Sequence, residues 1–537
     1  MSRLALALLG GLALWLSWPA HDLWFLAPVG IALVALATRG AGVARGLGLG
    51  VLAGLAAYLP ALHWSGIYVG NLPWVALALL EASYVGLTGA ACGALGLRAP
   101  RGWRMPYAVV VAAAWCAGEW LRSVTPFGGF PWLKIAFAMA DAPTLPLVRY
   151  VATPGLTFVV ALAGGLLAAG LLGARRAVRH PGARSPLALA RPAGALAGAG
   201  AVLWGPALLT APTGGTSVDV LAVQGNVPRA GLDFNAERRQ VLDNHAEVTR
   251  RAVAAQVAAG RGEPALVVWP ENASDIDPVA NADAGQVITA ASVAANAPIL
   301  VGTLRQGPHD EIKNTTLLWE GSKGPTAHYA KRHPVPFAEY IPYRSFFRHF
   351  SDKVDLLTHD FAAGDEVGVI TAPTSRGPVP VGIGICFESA YDDLMRDAVT
   401  HGGQILAVQT NNATFGYTDE SYQQLAISRV RAVELGRSVV HVSTVGTSAL
   451  ITPDGVAHQR TALFTPAALR DTLPRRTEIT PAVRVNDLAV WLSMVIMALG
   501  AIARTAQPRT TSTTSSDSPE RSDHHAHPGP DPDVQRA

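Results

Sequence analysis

The chain has 537 residues, of which 50% are hydrophobic and only 15% are charged, and its formal net charge is +3. An ordinary soluble domain carries about 25% charged residues, so this composition excludes a protein that is soluble throughout and a disordered or fibrous chain. A nearly balanced charge without a basic stripe gives no support to nucleic-acid binding. The cysteines Cys92, Cys116 and Cys386 lack CxxC spacing, which favours neither a disulfide framework nor a metal site.

Apolar segments long enough to be membrane spans occur before residue 211 and again after residue 484, because about 20 apolar residues cross the hydrocarbon core as a helix. They lie at residues 4–20, 23–38, 46–80, 82–97, 105–118, 150–174, 192–218 and 488–503. The run 46–80 is too long for one span, and Pro60, Gly66 and Pro73 predict a turn that divides it. Its second half continues past Glu81, which gives about eight spans in total.

Basic residues in short loops resist translocation and therefore predict the orientation of the spans. Arginines follow the second, fourth and last spans, and several lie between the sixth and seventh. This pattern places the N-terminus in the cytoplasm and residues 211–484 outside it. One loop, 122–149, does not fit this pattern, because it carries three basic residues on the side predicted to be extracytoplasmic. Its aromatic stretch 126–132 predicts either a re-entrant segment or a packed extracellular loop.

Four regions follow from these patterns. Residues 1–210 are predicted to form a transmembrane domain of about seven helices, residues 211–484 an extracytoplasmic domain, and residues 485–504 a C-terminal transmembrane helix. Residues 505–537 contain no Leu, Ile, Phe, Trp or Tyr and are expected to form a disordered cytoplasmic tail. The first segment could instead be a cleaved signal peptide, but further spans follow it at once, so we expect a retained helix.

Residues 211–484 alternate between strand-like and helix-like patterns. Runs rich in β-branched residues lie at 218–223, 265–269, 299–304, 315–319, 379–385, 405–409 and 439–442. Helical periodicity is found at 234–257, 284–295, 389–400 and 421–435. This alternation predicts a layered α/β domain.

Reactive side chains follow three of the extended segments. Glu271 comes after 265–269, Lys331 lies in a basic stretch after another strand, and Cys386 comes directly after 379–385. Catalytic groups gather at the carboxyl ends of strands in open α/β sheets. Taken singly, each has an ordinary explanation: a helix cap, a surface lysine and a small buried hydrophobe. Together and in this order they predict one catalytic site.

These three residues resemble the Glu–Lys–Cys triad of the carbon–nitrogen hydrolase (nitrilase) superfamily. The Asn-Asn pair at 411–412 and the sequence RVRAVELGR at 429–437 are also similar to that superfamily. The resemblance covers about residues 217–455. It implies a four-layer α-β-β-α sandwich, which the alternation of strands and helices permits.

The whole chain, over about residues 1–505, resembles one branch more closely, the bacterial apolipoprotein N-acyltransferase family. The motifs that carry this resemblance lie at 223–228, 269–271, 336–342 and 386–388. Phe387 departs from the family pattern, because relatives often have Tyr there. The resemblance implies transfer of a fatty acyl chain from a membrane phospholipid to the N-terminal amine of diacylglyceryl-cysteine in apolipoproteins, in the bacterial inner membrane.

The residues themselves suit such chemistry. A cysteine thiol has a pKa of about 8.5 and must lose its proton to attack, and Glu271 is suited to accept it. The ammonium of Lys331 would stabilise the oxyanion, and collapse would leave an acyl-thioester on Cys386. The resemblance implies that Glu339 and Glu388 orient Lys331 or help to move protons. The alternative is that these two carboxylates cap helices or brace the loop.

Location narrows the substrates further. A site outside the cytoplasm has no supply of ATP or acyl-CoA, so the ester of a phospholipid is the expected acyl donor. We expect no cofactor, no metal, no nucleic-acid partner and a monomer in the bilayer. Two other functions stay open: a membrane-tethered carbon–nitrogen hydrolase (amidase) that transfers the acyl group to water, and a non-catalytic membrane scaffold for a glycolipid synthase. The three intact reactive residues argue against the scaffold.

Overall fold

The computed structural model of the chain describes residues 1–95, 106–179, 186–227 and 238–505. It has a helical part, formed by the apolar segments, and an α/β part formed by the polar region between the seventh helix and the last. The tail predicted at 505–537 lies outside the described residues, except for its first position.

Helices in the described residues correspond to each predicted apolar segment. They are α1 (Arg3–Ser17), α2 (Leu26–Thr38), α3 (Val43–Ala61), α4 (Asn71–Leu95), α5 (Tyr107–Val124), α6 (Val148–Arg179), α7 (Pro186–Trp204) and a C-terminal helix (Leu488–Thr505). The predicted turn in 46–80 is present between α3 and α4. The segment 192–218 differs from its prediction, because α7 ends at Trp204, before Gly205 and Pro206, and Val218 belongs to a strand.

The helices differ in whether they are both long and apolar enough to cross a bilayer. Among the described residues, three helical stretches are long and apolar enough to cross a bilayer: Val43–Ala61, Asn71–Leu95 and Leu145–Arg179. Helices α1, α2 and the C-terminal helix are apolar but shorter. The 13 residues of α2 extend only roughly 20 Å, whereas the hydrocarbon core is roughly 30 Å thick. The eight spans therefore stay a prediction.

Helices α3 and α4 approach each other until their backbones touch. A Cβ atom placed on Gly46 would lie 2.5 Å from the carbonyl oxygen of Gly89, and a Cβ on Gly89 would lie 2.5 Å from the carbonyl oxygen of Gly46. Small residues allow such close packing between apolar helices, where dispersion contacts replace a hydrophobic driving force. The glycines therefore fix the distance between these two helices.

Twelve strands in the described residues form two six-stranded sheets. The strands are β1 (Thr216–Gln224), β2 (Leu266–Val268), β3 (Ile299–Gln306), β4 (Ile312–Trp319), β5 (Pro325–Ala330), β6 (Val369–Thr374), β7 (Gly377–Ile385), β8 (Ile405–Thr410), β9 (Ser438–Ser443), β10 (Ala449–Ile451), β11 (Ala457–His458) and β12 (Ala467–Arg475). Their order is β12-β1-β2-β3-β4-β5 in one sheet and β11-β10-β9-β8-β7-β6 in the other. In each sheet three central strands run parallel, and antiparallel strands flank them.

The two sheets pack face to face, and helices cover their outer faces. The remaining helices are α8 (Arg238–Ala258), α9 (Ala282–Ala295), α10 (Arg344–Phe347), α11 (Asp392–Thr400), α12 (Glu420–Leu435) and α13 (Pro481–Val485). A buried core that includes Val220, Leu300, Ile383 and Val440 joins both sheets. Separate cores join α8 and α9 to the first sheet and α11 and α12 to the second. The predicted α-β-β-α layering is thus confirmed.

All seven predicted β-rich runs are strands, and the four helical segments correspond to α8, α9, α11 and α12. Strands β5, β6, β10, β11 and β12 were not predicted. Segment 389–400 is helical only from Asp392, because a 3-10 turn over Cys386–Ala390 precedes α11.

The stretch after α5 packs between the helical part and the α/β part. Residues Trp132 and Lys134 are buried there. The ammonium of Lys134 lies 2.8 Å from a carboxylate oxygen of Asp392, which also pairs with Arg431 of α12 at 2.6 Å. Buried ion pairs of this kind require both partners, since removing one leaves an uncompensated charge. They fix how the two parts are oriented relative to each other.

We expect Gly46→Ala to destabilise the protein and Gly48→Ala to leave it at least as stable. Both changes gain about 1 kcal/mol of helix propensity, but only at Gly46 does the new methyl group meet backbone; at Gly48 nothing lies within 4 Å. Overpacking costs about 1–3 kcal/mol. Thermal unfolding of both variants in detergent measures the difference, and equal midpoints would contradict the close packing of α3 and α4.

Candidate active site

The structure brings the three predicted residues together where strands from both sheets end. Glu271 follows β2 and Cys386 follows β7, while Lys331 comes directly after β5. The Nζ atom of Lys331 lies 3.7 Å from Oε1 of Glu271, and the Cys386 thiol is close enough to Glu271 for the carboxylate charge to raise its pKa. Glu271 and Lys331 are buried, with 4% and 2% of their surfaces exposed. A thiol, a carboxyl group and an ammonium group therefore form one cluster.

Cys386 lies on a tight turn between β7 and the 3-10 turn that follows. Its φ angle is +53°, in the left-handed region, which costs a non-glycine residue about 1–2 kcal/mol. The surroundings hold this conformation: the hydroxyl of Ser389 donates to the carbonyl oxygen of Cys386 at 3.0 Å. Arg431 donates to the carbonyl oxygens of Ser389 and Ala390 at 2.9 and 2.8 Å. The turn therefore presents the sulfur atom in a fixed direction.

Glu271 is held by donors from both sheets. The side-chain amide of Asn314 on β4 donates to Oε1 at 2.6 Å, and the backbone N–H of Asn411 donates to Oε2 at 2.9 Å. Trp269 lies two residues before Glu271. Its carbonyl oxygen accepts a hydrogen bond from the side-chain amide of Gln409 on β8 at 2.5 Å. These bonds span the gap between the sheets and aim the carboxyl group at the thiol.

Lys331 is held mainly by Glu339. Its Nζ donates to Oε1 of Glu339 at 2.8 Å, and Asn314 donates to the same oxygen at 3.2 Å. The other oxygen of Glu339 accepts from the backbone N–H of Val335 at 2.7 Å. The position of Glu339 agrees with the predicted orienting role, although that role itself stays a prediction.

Glu388 occupies a different position from Glu339. Its carboxyl group accepts from the hydroxyl of Tyr329 at 2.8 Å and from the backbone N–H groups of Arg332 and Ile385 at 2.8 and 2.9 Å. These partners lie on β5, on the loop after it and at the end of β7. Glu388 thus ties together the chain segments that carry Lys331 and Cys386, which matches the bracing alternative.

Phe387 faces the helical part of the protein. Its ring stacks on Trp132 with centroids 5.2 Å apart and an interplanar angle of 5°, and the ring of Phe130 lies 5.3 Å away. The residue next to the thiol is therefore packed against the stretch that follows α5. A phenylalanine suffices for this contact, since stacking needs no hydroxyl group.

Burial and neighbouring charges set the protonation of the cluster. Burial raises the pKa of Glu271, and the charge of Lys331 opposes this rise. Burial and the Glu271 carboxylate raise the pKa of Cys386 above its ordinary value. Burial alone would lower the pKa of Lys331, but the carboxylates of Glu339 and Glu271 outweigh it and raise the pKa. The resting site therefore holds a neutral thiol beside a permanent ammonium and a basic carboxyl group.

Sequence reasoning missed three side chains that contact this cluster. Asn314 binds Glu271 and Glu339, while Thr410 on β8 and Gln424 on α12 lie 3.6 and 3.5 Å from the sulfur of Cys386. The available signals were an amide directly before the β-rich run 315–319 and two adjacent glutamines on a largely buried helix. Within the described ranges, no group of three or more His, Cys, Asp or Glu side chains could hold a metal ion.

Comparison with known families first defines the class of protein. Residues 222–466 match the carbon–nitrogen hydrolase family, and residues 10–166 match the apolipoprotein N-acyltransferase N-terminal domain. The α/β part, which contains the Glu–Lys–Cys cluster, is therefore a carbon–nitrogen hydrolase domain of the nitrilase type. A solved amidase of the nitrilase superfamily from Nesterenkonia AN1 covers 52% of this chain and 98% of its own, at 16% identity and a TM-score of 0.37.

Relatives with known names then define the family. The apolipoprotein N-acyltransferase of Mycolicibacterium smegmatis is 43% identical over 90% of this chain and 81% of its own length. That of Photobacterium profundum is 27% identical over 93% of this chain and 95% of its own length. The chain therefore belongs to the apolipoprotein N-acyltransferase family. This membership confirms the predicted resemblance and the prediction that the protein is an enzyme, an acyltransferase.

We expect Asn314→Leu to move the acidic limb of the pH–rate profile to higher pH by about one unit, because a hydrogen bond to a charged group contributes about 1.5–3 kcal/mol. The Asn314 amide favours the charged form of Glu271. Its loss raises the pKa of Glu271 further, so the carboxylate that we predict to act as a base is protonated over a wider acidic range. Thr315→Ala, one residue further along β4, is the control and should leave the limb in place.

Proposed function

We propose that this chain transfers a fatty acyl group from a membrane phospholipid to the N-terminal amine of diacylglyceryl-cysteine in apolipoproteins. Cys386 is the nucleophile, Glu271 the general base and Lys331 the oxyanion stabiliser. One observation carries this proposal: the thiol, the carboxyl group and the ammonium form one cluster at the junction with the apolar helical part, with Nζ of Lys331 3.7 Å from Glu271. The names of the relatives support the class of substrate.

The first half-reaction forms an acyl-enzyme. Glu271 takes the proton of the Cys386 thiol as the sulfur attacks the ester carbonyl carbon, because the raised pKa of the thiol leaves little thiolate at rest. The oxyanion of the tetrahedral intermediate faces the ammonium of Lys331, and such a donor contributes about 3 kcal/mol. The carbon–oxygen bond then breaks, Glu271 returns its proton to the leaving lysophospholipid alkoxide, and a thioester remains on Cys386.

The second half-reaction passes the acyl group to an amine. The amine nitrogen of the lipoprotein attacks the thioester carbonyl, and Glu271 accepts the proton that the nitrogen loses. The carbon–sulfur bond breaks, an amide forms, and the sulfur recovers a proton from Glu271. Because an amide replaces an ester overall, the exchange runs downhill without ATP, so the chain's own residues suffice for both steps.

Apolar side chains beside the site support a lipid substrate. Tyr343, Phe346 and Phe350, on and around α10, are each more than half exposed. The ring of Phe127, from the stretch after α5, lies 6.1 Å from Tyr343 and 5.9 Å from Phe337. Exposed aromatic groups of this kind settle at the boundary between headgroups and acyl chains. They would hold the site at the depth where the ester bonds of phospholipids lie.

The proposal also includes the orientation of the protein in the membrane and the limits of its domains. The catalytic domain at 211–484 lies outside the cytoplasm of a multi-pass inner-membrane protein, anchored by the helices at 1–210 and by the helix at 485–504, and the protein acts as a monomer. The distribution of arginines supports this orientation. It also places the site in the compartment where lipid esters are the available acyl donors.

We expect purified protein in detergent, given labelled phospholipid and a diacylated lipopeptide, to yield N-acylated peptide. Cys386→Ala should abolish product and the covalent acyl-enzyme, since no sulfur remains to form the thioester. Cys116→Ala removes a buried thiol of α5 that donates to the carbonyl oxygen of Pro154 in the helical part, and it is the matched control. Free fatty acid without acylated peptide would favour a hydrolase, and full activity of Cys386→Ala would refute the proposed nucleophile.

We expect a cysteine placed at the exposed Val257 of α8 to react with a membrane-impermeant maleimide in intact cells, and a cysteine placed at the exposed Arg176 near the end of α6 to react only after permeabilisation. The reason is that the proposed topology puts α8 outside the cytoplasm and the end of α6 inside it. Gel-shift detection of labelling measures both positions. The reverse pattern would place the catalytic domain in the cytoplasm.

A further inference from the structure

Helix α12 places an amide group against the sulfur atom of Cys386. The Nε2 atom of Gln424 lies 3.5 Å from Sγ, and Gln424 is completely buried. A buried amide whose N–H groups lack a partner costs free energy. The orientation of this side chain therefore decides whether the sulfur of Cys386 receives a hydrogen bond from it. Which end of the amide faces the sulfur can be worked out from the hydrogen bonds around it.

A chain of hydrogen bonds fixes that orientation, starting at a backbone donor. The N–H of Gly446 donates to Oγ of Ser443 at 2.8 Å, so the hydroxyl hydrogen is free to donate to Oδ1 of Asn412 at 2.5 Å. The amide nitrogen of Asn412 must then point the other way, and it donates to Oε1 of Gln424 at 2.9 Å. With its oxygen used as an acceptor, Gln424 turns its NH₂ group towards Cys386.

The remaining neighbour of the sulfur cannot replace this donor. The hydroxyl of Thr410 lies 3.6 Å from Sγ but only 2.6 Å from Oε1 of Gln424. A hydroxyl group carries a single hydrogen, and the shorter contact to the carbonyl oxygen takes it. Of these two side chains, Gln424 is therefore the one that presents N–H to the sulfur.

We propose that Gln424 is a further catalytic residue, whose side-chain N–H stabilises the Cys386 thiolate as it forms in attack and as it leaves the thioester. This inference rests on the proposed role of Cys386 as nucleophile. The proton of the thiol still goes to Glu271; Gln424 donates a hydrogen bond and transfers no proton. Because Gln424 supplies this hydrogen bond to the sulfur, the ammonium of Lys331 is free to face the oxyanion.

The surrounding network is suited to an anion on the sulfur. Asn412 also donates to a carboxyl oxygen of Glu420 at 2.7 Å. Burial raises the pKa of Glu420 to about 8, so this acid is largely neutral at pH 7 and places little negative charge against a thiolate. The amide dipoles of Asn412 and Gln424 point in series toward the sulfur, and hydrogen bonds in such a series strengthen one another.

The preceding residue provides a matched control. Gln423 is buried on the same helix, but its Oε1 accepts from the indole nitrogens of Trp64 and Trp132 at 3.1 and 2.8 Å, and its Nε2 donates to the carbonyl oxygen of Ala61 at 3.1 Å. Its hydrogen bonds go to the helical part of the protein and not to the thiol. Gln423→Met and Gln424→Met therefore remove the same groups from the same helix with different expected effects.

The test is the pH dependence of iodoacetamide alkylation at Cys386, followed by mass spectrometry of its peptide in detergent-solubilised full-length protein. We expect Gln424→Met to raise the apparent pKa of the thiol by about one unit. Acyl-enzyme formation should slow about tenfold, with the KM for phospholipid unchanged. Gln423→Met should leave the alkylation profile in place, even where it lowers the unfolding midpoint.

Every other outcome counts against either the role of Gln424 or the role of Cys386. An unchanged profile in folded Gln424→Met, or an equal shift in Gln423→Met, would overturn the inference. If Gln424→Met does not fold, Gln424→Ala serves, because it also removes the N–H donor and adds neither charge nor bulk beside the sulfur; its profile must shift as far. Cys386→Ala is assayed in parallel: residual acyl transfer there refutes the proposed nucleophile, whereas its loss together with an unchanged Gln424→Met refutes only the role of Gln424.

Discussion

The site depends on a buried positive charge, that of Lys331. A carboxylate as deeply buried as Glu271 would be strongly destabilised without a counter-charge, and a thiol beside it would be harder still to ionise. The ammonium 3.7 Å from Glu271 and 2.8 Å from Glu339 offsets both costs. It can do so only because Glu339 and Asn314 hold it and its neighbours in place, so the carboxyl group, the thiol and the ammonium group are stable only as a group.

The same constraint links the catalytic domain to the helical part. The turn that carries Cys386 is held on one side by Arg431, which binds the carbonyl oxygens of the turn. On the other side the ring of Phe387 stacks on Trp132, from the stretch after α5. The buried pairs of Asp392 with Lys134 and Arg431 join these contacts into one network. The helical part and the sulfur atom of Cys386 are thereby held in a fixed relation.

Edge position explains why four of the five unpredicted strands were missed from the sequence. The central strands β1–β4 and β7–β9 carry continuous apolar or alternating runs, because they are buried by the facing sheet and by helices. Strands β5, β6, β11 and β12 are the edges of the two sheets. They are partly exposed, and three of them contain proline, which is tolerated at an edge. Their sequences therefore lack the apolar pattern of a strand.

The apolar helices, the alternation of the α/β part and the grouping of Glu271, Lys331 and Cys386 could be predicted from the sequence, because hydrophobic periodicity and the ends of strands are local properties of the chain. The folded structure was needed to find that Glu388 joins the two loops while Glu339 binds Lys331, and that Asn314, Thr410 and Gln424 surround the cluster. Those roles arise from contacts between segments far apart in the chain. Local pattern carries no information about such distances, because they are set by how two sheets and a helical bundle pack.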